Sequence, residues 1–235
     1  MSGVAVLVLA GGSGTRFGAE RNKVYLPLAG RTVLSWSLNT FAALTEPPVL
    51  VLVARAGDRE LVAGVLAREV AGAPVEVVHG GASRQDSELC GLRHLAPRIR
   101  LGEIDTVLIH DGARPLVSAR MVGAVVDAAR SHGGAVPGLR RTGMVRVSPD
   151  GRRLLGAAPD GLVAVQTPQA FAAGPLLAAY EQAELAGFSG TDTASCVRHF
   201  TDVAVHCVPG DEHNFKITYA RDLRVAEAVL AHRPR

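Results

Sequence analysis

The chain has 235 residues, of which 48% are hydrophobic, 20% charged and 4% aromatic, and its formal net charge is +3. That length accommodates one large α/β domain, and the hydrophobic content excludes an intrinsically disordered chain. Because the charges form neither a block of one sign nor a basic stripe with interleaved aromatic residues, sequence-independent nucleic-acid binding is not indicated.

The amino-terminal residues MSGVAVLVLAGG are apolar, lack a positively charged start and lead directly into glycines. They predict a core strand and not a signal peptide. No apolar stretch is long enough to span a membrane. The cysteines Cys90, Cys196 and Cys207 are far apart, which favours reduced thiols. We therefore expect a cytoplasmic protein that binds neither a membrane nor nucleic acid.

Short apolar runs alternate with segments of helical period along most of the chain. Strands are predicted at residues 4–9, 49–53, 75–78, 106–109 and 203–208. Helices are predicted at residues 32–41, 58–69, 83–95, 118–130, 174–186, 192–200 and 221–232. This alternation predicts an α/β fold with a doubly wound, mostly parallel, Rossmann-like sheet.

The alternation stops after Ala135, and residues 137–160 are rich in Pro, Gly and Arg. A hairpin turn is predicted at residues 149–151, which read Pro-Asp-Gly. We expect a β-arm that projects from a single domain of residues 1–235 and joins two copies in a homodimer. The apolar arm residues that could cover a partner subunit are Val145, Val147, Leu154 and Leu155.

The strongest local signal is the segment LAGGSGTRFG at residues 9–18, followed by Lys23. Glycines let backbone amides approach an anion, and Arg16 and Lys23 add charges that could gather a triphosphate. The segment is not a Walker A motif, because neither Lys-Ser nor Lys-Thr follows the glycines. The bulky Arg16 also departs from the dinucleotide fingerprint. Taken alone, the loop could still be an ordinary strand-to-helix turn.

Two further segments follow predicted strands. Residues 80–87 read GGASRQDS, where small residues offer amides to a flat base and Ser87 offers a hydroxyl, although a simple helix cap is the alternative. Residues 110–115 read HDGARP and place Asp111 at the ligand-binding edge of a parallel sheet. One carboxylate there suits Mg²⁺, with Mn²⁺ as a substitute, shared with phosphate oxygens.

With TPQAF at 167–171, TDTAS at 191–195 and NFKIT at 214–218, these segments resemble the 2-C-methyl-D-erythritol 4-phosphate cytidylyltransferases. The related ribitol-phosphate cytidylyltransferases are similar. The resemblance runs from residue 9 to 218 in one order. It implies transfer of CMP from CTP to 2-C-methyl-D-erythritol 4-phosphate with release of pyrophosphate, in isoprenoid precursor synthesis by the non-mevalonate pathway.

The resemblance also implies roles for individual residues. The catalytic positions of the family match Arg16, Lys23 and Lys216. The positions that would bind CTP are Ala10, Gly11, Gly12, Ser13, Gly14, Gly81, Ala82, Ser87, Asp111 and Gly112. The positions that would bind the acceptor are Arg114, Thr142 and Thr191.

The acceptor side departs from the family pattern at two places. Arg141 stands where the family has an acidic residue, and Pro159 where it has an Arg that reaches the acceptor phosphate of the neighbouring subunit. Because Pro cannot supply that charge-assisted contact, a rebuilt phosphate clamp is expected. The cations available in the arm are Arg140, Arg141, Arg152 and Arg153.

Four other functions remain open from the sequence. One is a paralogue that acts on another polyol phosphate such as ribitol 5-phosphate, and another is a sugar-1-phosphate nucleotidylyltransferase that uses a different base. A non-catalytic nucleotide-binding module would be favoured by loss of the loop Arg or Lys, but both are present. An NAD-dependent oxidoreductase would need an acidic residue after the second strand, where Arg55 stands.

Overall fold

A computed structural model of the chain describes residues 3–12, 22–70 and 72–232. The strands in these ranges are β1 (Gly3–Leu9), β2 (Pro27–Leu28), β3 (Arg31–Thr32), β4 (Val49–Ala54), β5 (Val75–His79), β6 (Ile104–Asp111), β7 (Gly133–Arg140), β8 (Val145–Val147), β9 (Leu154–Ala157), β10 (Val163–Val165), β11 (Gln169–Ala172) and β12 (Ala204–Pro209). The helices are α1 (Val33–Ala42), α2 (Arg59–Glu69), α3 (Arg84–Arg100), α4 (Ala119–His132), α5 (Ala173–Ala186), α6 (Thr193–Phe200) and α7 (Ala220–Ala231).

The central sheet has eight strands in the described ranges. Seven of them follow the order β5, β4, β1, β6, β11, β7 and β12. The eighth, β10, pairs with the same edge of β7 as β11 does. Strands β5, β4, β1 and β6 are parallel neighbours, and β12 is parallel to β7. Only β10 and β11 run in the opposite direction. The predicted doubly wound, mostly parallel sheet is confirmed.

Helices cover both faces of the sheet. In β1, Val6 and Val8 pack with α1, α2 and α4, whereas Ala5 and Leu7 pack with α3, α5 and α6. All four side chains are fully buried. Burial on both faces explains why this strand is a continuous apolar run in the sequence instead of an alternating one.

Side-chain caps fix the start of two helices at one edge of the sheet. Ser83 and Asp86 form a reciprocal capping box at α3, and Asp192 and Ser195 form another at α6. Each box satisfies backbone donors that the first helical turn leaves without partners. Asp192 is therefore the N-cap of α6.

The β-arm differs from its predicted limits. Strand β7 continues to Arg140 inside the central sheet, where Pro137 pairs with Val208, so the predicted start at residue 137 is too early. Strands β8 and β9 form the expected hairpin, and Gly151 in its turn has a φ of +71°. Strands β10 and β11 were missed because runs of three and four residues carry little periodicity.

Two further observations bear on the predictions made from the sequence. In residues 3–12, 22–70 and 72–232, no helix combines the length and the apolar character needed to cross a bilayer. All three cysteines are free, as their spacing predicted.

The contact of α3 with the sheet depends on Gly91. A Cβ atom there would lie 2.8 Å from Leu7 Cδ1 and 3.1 Å from Val53 Cγ2. Gly91→Ala should therefore lower the free energy of unfolding by about 1–3 kcal/mol, the usual cost of overpacking. The measurement is urea denaturation followed by circular dichroism.

Gly123→Ala is the matched control on α4, because a Cβ there meets no described atom within 4 Å. Alanine is the better helix former, so this variant should gain about 0.5–1 kcal/mol. Equal unfolding midpoints for the two variants would contradict the packing account.

Candidate active site

The carboxyl ends of the parallel strands form one open edge of the sheet, and the loops that leave them are bonded to each other. Ala10 N donates to Val53 O at 2.8 Å, and Gly112 N donates to Leu9 O at 2.9 Å. Ligands of doubly wound proteins bind at this edge, because helices cover both faces. The structure therefore brings the start of the glycine loop and the segment after β6 to one place.

A cavity of about 370 Å³ lies at this edge. Most of the residues predicted to contact CTP or catalyse the reaction line it, including Gly11, Gly12, Lys23, Gly81, Ala82, Ser87, Asp111 and Lys216. Ala10 and Gly112 lie beside them in the chain. Arg16, Ser13 and Gly14 lie outside the described residues. Two cations that line the cavity, Arg55 and Arg84, were not predicted.

Asn22 connects Lys23 to the end of β1. Its Nδ2 donates to Ala10 O at 2.5 Å, and its Oδ1 accepts from Val24 N at 3.4 Å. It caps the short 3₁₀ turn Lys23–Tyr25 and is buried. Asn22 thus fixes the backbone that presents the Lys23 side chain to the cavity.

Ser87 lies where the glycine loop meets the first turn of α3. Its hydroxyl donates to Ser83 O at 2.8 Å and lies 3.5 Å from the position of a Cβ on Gly11. A Cβ on Gly80 would come within 2.7 Å of the same hydroxyl. Gly80 therefore allows the close approach, whereas the distance at Gly11 is an ordinary contact, and the Ser87 oxygen keeps lone pairs for a donor on a ligand.

Asp111, the last residue of β6, is surrounded by three cations. Lys216 Nζ donates to its Oδ2 at 2.9 Å, Arg84 Nε lies 3.5 Å from Oδ1, and Arg114 Nε lies 3.6 Å from Oδ2. Burial alone would raise the pKa of the Asp111 carboxyl, but Lys216, Arg84 and Arg114 outweigh it and hold that pKa well below its usual range. Asp111 is therefore ionised throughout the physiological pH range.

His110, immediately before Asp111, has a structural role. It is fully buried, Nε2 contacts Arg114 O at 3.1 Å, and its ring meets Phe41 edge to face. Burial lowers the pKa of His110 to about 4, so the imidazole is neutral at pH 7. A neutral, enclosed ring holds the turn after β6 in place and is not available to a substrate.

Asn214 anchors the segment that carries Lys216. The buried side chain donates from Nδ2 to Thr167 O at 2.8 Å, and Thr167 Oγ1 in turn accepts from Asp111 N at 3.0 Å. The motif at 167–171 therefore acts as a support beneath Asp111.

The predicted acceptor residues are not brought together within one chain. Arg114 lies beside Asp111 with 12% of its side chain exposed, donates to Asn214 O at 2.8 Å and does not line the cavity. Thr142 lines a second cavity of about 950 Å³, the arm cavity, which lies between the arm and the ends of β7 and β12. Thr191 is exposed just before α6. Their joint role in acceptor binding stays a prediction.

The cavity offers few side-chain donors to a metal ion. Across the part of the chain that the structure describes, no cluster of three or more His, Cys, Asp or Glu side chains could hold a metal by itself. Asp111 is the one carboxylate among the described residues that line the cavity. Mg²⁺ prefers one or two carboxylates plus phosphate and water oxygens. Asp111 therefore fits a magnesium ion that takes most of its ligands from a nucleotide.

Comparison with known proteins agrees with this geometry. The family model described as IspD, 2-C-methyl-D-erythritol 4-phosphate cytidylyltransferase, matches residues 4–232. The 2-C-methyl-D-erythritol 4-phosphate cytidylyltransferase of Thermobifida fusca is 37% identical over 97% of this chain and 93% of that protein. The bifunctional enzyme IspD/IspF of Clavibacter michiganensis subsp. michiganensis is 40% identical over 97% of this chain and 54% of that protein.

A solved structure is also similar. The crystal structure of the 2-C-methyl-D-erythritol 4-phosphate cytidylyltransferase from Thermus thermophilus has a TM-score of 0.73 at 30% identity, covering 98% of this chain and 100% of that one. The family match covers nearly the whole chain, and so do these alignments. The chain therefore belongs to the 2-C-methyl-D-erythritol 4-phosphate cytidylyltransferase family.

Proposed function

We propose that this protein transfers CMP from CTP to the phosphate of 2-C-methyl-D-erythritol 4-phosphate and releases pyrophosphate, in isoprenoid precursor synthesis. The observation that carries the proposal is the cavity in which Lys23, Lys216 and Ser87 meet in a chain of this family. A non-catalytic nucleotide-binding module is not favoured, because both lysines line the cavity. A cytoplasmic location, without a membrane or nucleic-acid partner, stays a prediction.

Ser87 would select cytosine. Its hydroxyl hydrogen is donated to Ser83 O, so its oxygen faces a ligand as an acceptor. Cytosine offers an amino donor at the position where uracil has a carbonyl acceptor. Gly81 and Ala82 beside it leave room for the flat ring. This arrangement favours CTP over UTP.

The chemistry would be an in-line displacement. An oxygen of the acceptor phosphate attacks the α-phosphorus of CTP, the bond to the bridging oxygen breaks, and pyrophosphate leaves. The phosphomonoester is already ionised at neutral pH, so no general base is needed. Lys23, Lys216 and Arg16 would neutralise charge on the phosphates as the bond forms.

We propose Mg²⁺, or Mn²⁺ in its place, as the cofactor, held by Asp111 and the triphosphate. The bound ion would supply positive charge to the phosphate oxygens. Excess chelator should therefore abolish pyrophosphate release, and added Mg²⁺ should restore it. Asp111→Asn should lower turnover on the order of tenfold or more, and it should raise the Mg²⁺ concentration that gives half the maximal rate.

Asp105→Asn is the control for the metal proposal, since Asp105 lies at the other end of β6, where it pairs with Arg130. Its Mg²⁺ dependence should equal that of the wild type. Full activity of the wild type in excess chelator would refute the metal proposal.

We also propose a single nucleotidyltransferase domain whose β-arm joins two chains in a two-fold homodimer. The hairpin has apolar side chains that its own chain leaves exposed, with Leu154 74% and Val145 51% exposed. A partner arm would bury this surface. It would also bring acceptor-binding groups to a site that one chain leaves incomplete.

The dimer proposal predicts that Leu154→Glu yields a monomer with reduced activity, measured by light scattering at micromolar concentration. Leu185→Glu, on α5 outside the arm, changes a leucine that is 87% exposed and should leave the dimer intact. A wild-type chain that is monomeric at this concentration would sink the proposal.

The arm cavity supports a rebuilt phosphate clamp. Arg140, Arg141, Thr142 and Pro159 line it, whereas Arg152 and Arg153 follow the hairpin turn. Of the four candidate cations, Arg140 and Arg141 are therefore the better placed to replace the arginine that the family has at the position of Pro159. We propose that they bind the acceptor phosphate in the dimer.

The acceptor is tested by comparing kcat/KM for 2-C-methyl-D-erythritol 4-phosphate, ribitol 5-phosphate and glycerol 3-phosphate, each with CTP and Mg²⁺. The first should give the highest value. Arg141→Ala should raise the KM of that acceptor about tenfold or more, because it removes one charge-assisted hydrogen bond to the acceptor phosphate. Arg152→Ala is the matched control and should not change it. A tenfold preference for either other acceptor would overturn the substrate assignment.

A further inference from the structure

Arg84 occupies the first turn of α3 and faces the nucleotide cavity with a side chain that is 33% exposed. Its guanidinium contacts carboxylates on two sides. Nε lies 3.5 Å from Asp111 Oδ1, and Nη1 lies 2.6 Å from Glu88 Oε1. The first carboxylate belongs to the site, and the second lies behind it in the protein interior.

Glu88 is a carboxylate in a dry environment, since only 1% of its side chain is exposed. One oxygen, Oε1, meets Arg84 and accepts from Thr193 Oγ1 at 3.0 Å. The other oxygen, Oε2, accepts from the Tyr180 hydroxyl. Glu88 on α3 is thereby joined to α5 and α6, and both of its oxygens have partners.

Stability alone does not account for this arrangement. Burial raises the pKa of Glu88, because taking a carboxylate out of water is costly even beside Arg84. Replacing a buried ion pair with apolar residues of similar volume is often neutral or stabilising. What the pair does supply is a guanidinium with a fixed direction at the cavity wall.

We propose that Glu88 is a positioning residue that holds Arg84 at the cavity wall, and that Arg84 binds the triphosphate of CTP. The inference rests on the proposed function, because it names a further contact for the same nucleotide. Lys23 and Lys216 are point charges, whereas a guanidinium offers a planar fork that matches phosphate oxygens. Because folding already orders Arg84, CTP binding costs little additional side-chain entropy.

The experiment measures the KM of CTP, the KM of the acceptor and kcat in variants of the full chain, with calorimetric titration of CTP in the absence of acceptor. Arg84→Ala should raise the KM of CTP about tenfold to a hundredfold, the range for a hydrogen bond to a charged group. Glu88→Gln should raise it about threefold to tenfold through the lost ordering of Arg84. The KM of the acceptor should not change in either variant.

A double-mutant cycle tests whether Glu88 acts through Arg84. Arg84→Ala/Glu88→Gln should have the same KM for CTP as Arg84→Ala, because the positioning residue has no remaining side chain to hold. The double variant removes both charges of the Arg84–Glu88 pair, so neither is left unpaired in the interior. The KM of CTP can therefore be measured in it even where Glu88→Gln alone fails to fold. A wild-type KM for CTP in the double variant would overturn the proposal.

Tyr180→Phe is the control for a purely structural role. It removes the other partner of Glu88 and leaves the contact with Arg84 in place, so it should lower the melting temperature without changing the KM of CTP. A Glu88→Gln variant that melts earlier but keeps wild-type CTP affinity would refute positioning. A wild type that binds CTP but transfers no CMP would contradict the proposed function, and CTP titration would still test the inference.

Discussion

The ionised carboxylate of Asp111 is the point on which the site segments converge. It ends a central strand, and the cations Arg84, Arg114 and Lys216 reach it from a helix start, from the turn after β6 and from the loop after β12. A shift of any one segment would remove a cation from this largely buried carboxylate and would leave its charge less well compensated. One carboxylate therefore fixes the relative positions of loops that are about a hundred residues apart.

The position of this cluster follows from how the sheet is built. Helices cover both faces, so the loops at the carboxyl edge are the part of the sheet open to a ligand. Gly80 at this edge allows the close approach of the Ser87 side chain. The excess of positive charge around Asp111 favours anionic ligands. A nucleoside triphosphate and a phosphomonoester are two such ligands.

Much of the fold, and the meeting of the glycine loop, Ser87 and Asp111 at one cavity, could be predicted because their signals are local. The apolar run of β1, the glycine loop and the turn after β6 are each short segments with their own composition. Strands β10 and β11 were missed, since each is short and pairs with distant partners. Arg84 and Glu88 are one helical turn apart, so their pairing was detectable from the spacing. The contacts of Glu88 with Thr193 and Tyr180 join residues about a hundred positions apart and leave no local pattern in the sequence.

The acceptor side was harder to predict for a physical reason. Arg114 and Thr142 lie in different places in one chain, so no single-chain geometry joins them. In the proposed homodimer a second subunit would complete their common environment, and sequence can indicate such residues only by resemblance. The residues predicted to bind CTP belong to one chain, and most of the described ones line one cavity.

The most direct test of the account follows the configuration at the transferred phosphorus. CTP made chiral by sulfur at the α-phosphate would be reacted with 2-C-methyl-D-erythritol 4-phosphate, and the configuration of the product determined by ³¹P NMR. A single in-line attack by the acceptor phosphate predicts inversion, with the β- and γ-phosphates released as pyrophosphate. Retention of configuration, which requires a covalent enzyme intermediate, or release of the γ-phosphate alone would contradict the account.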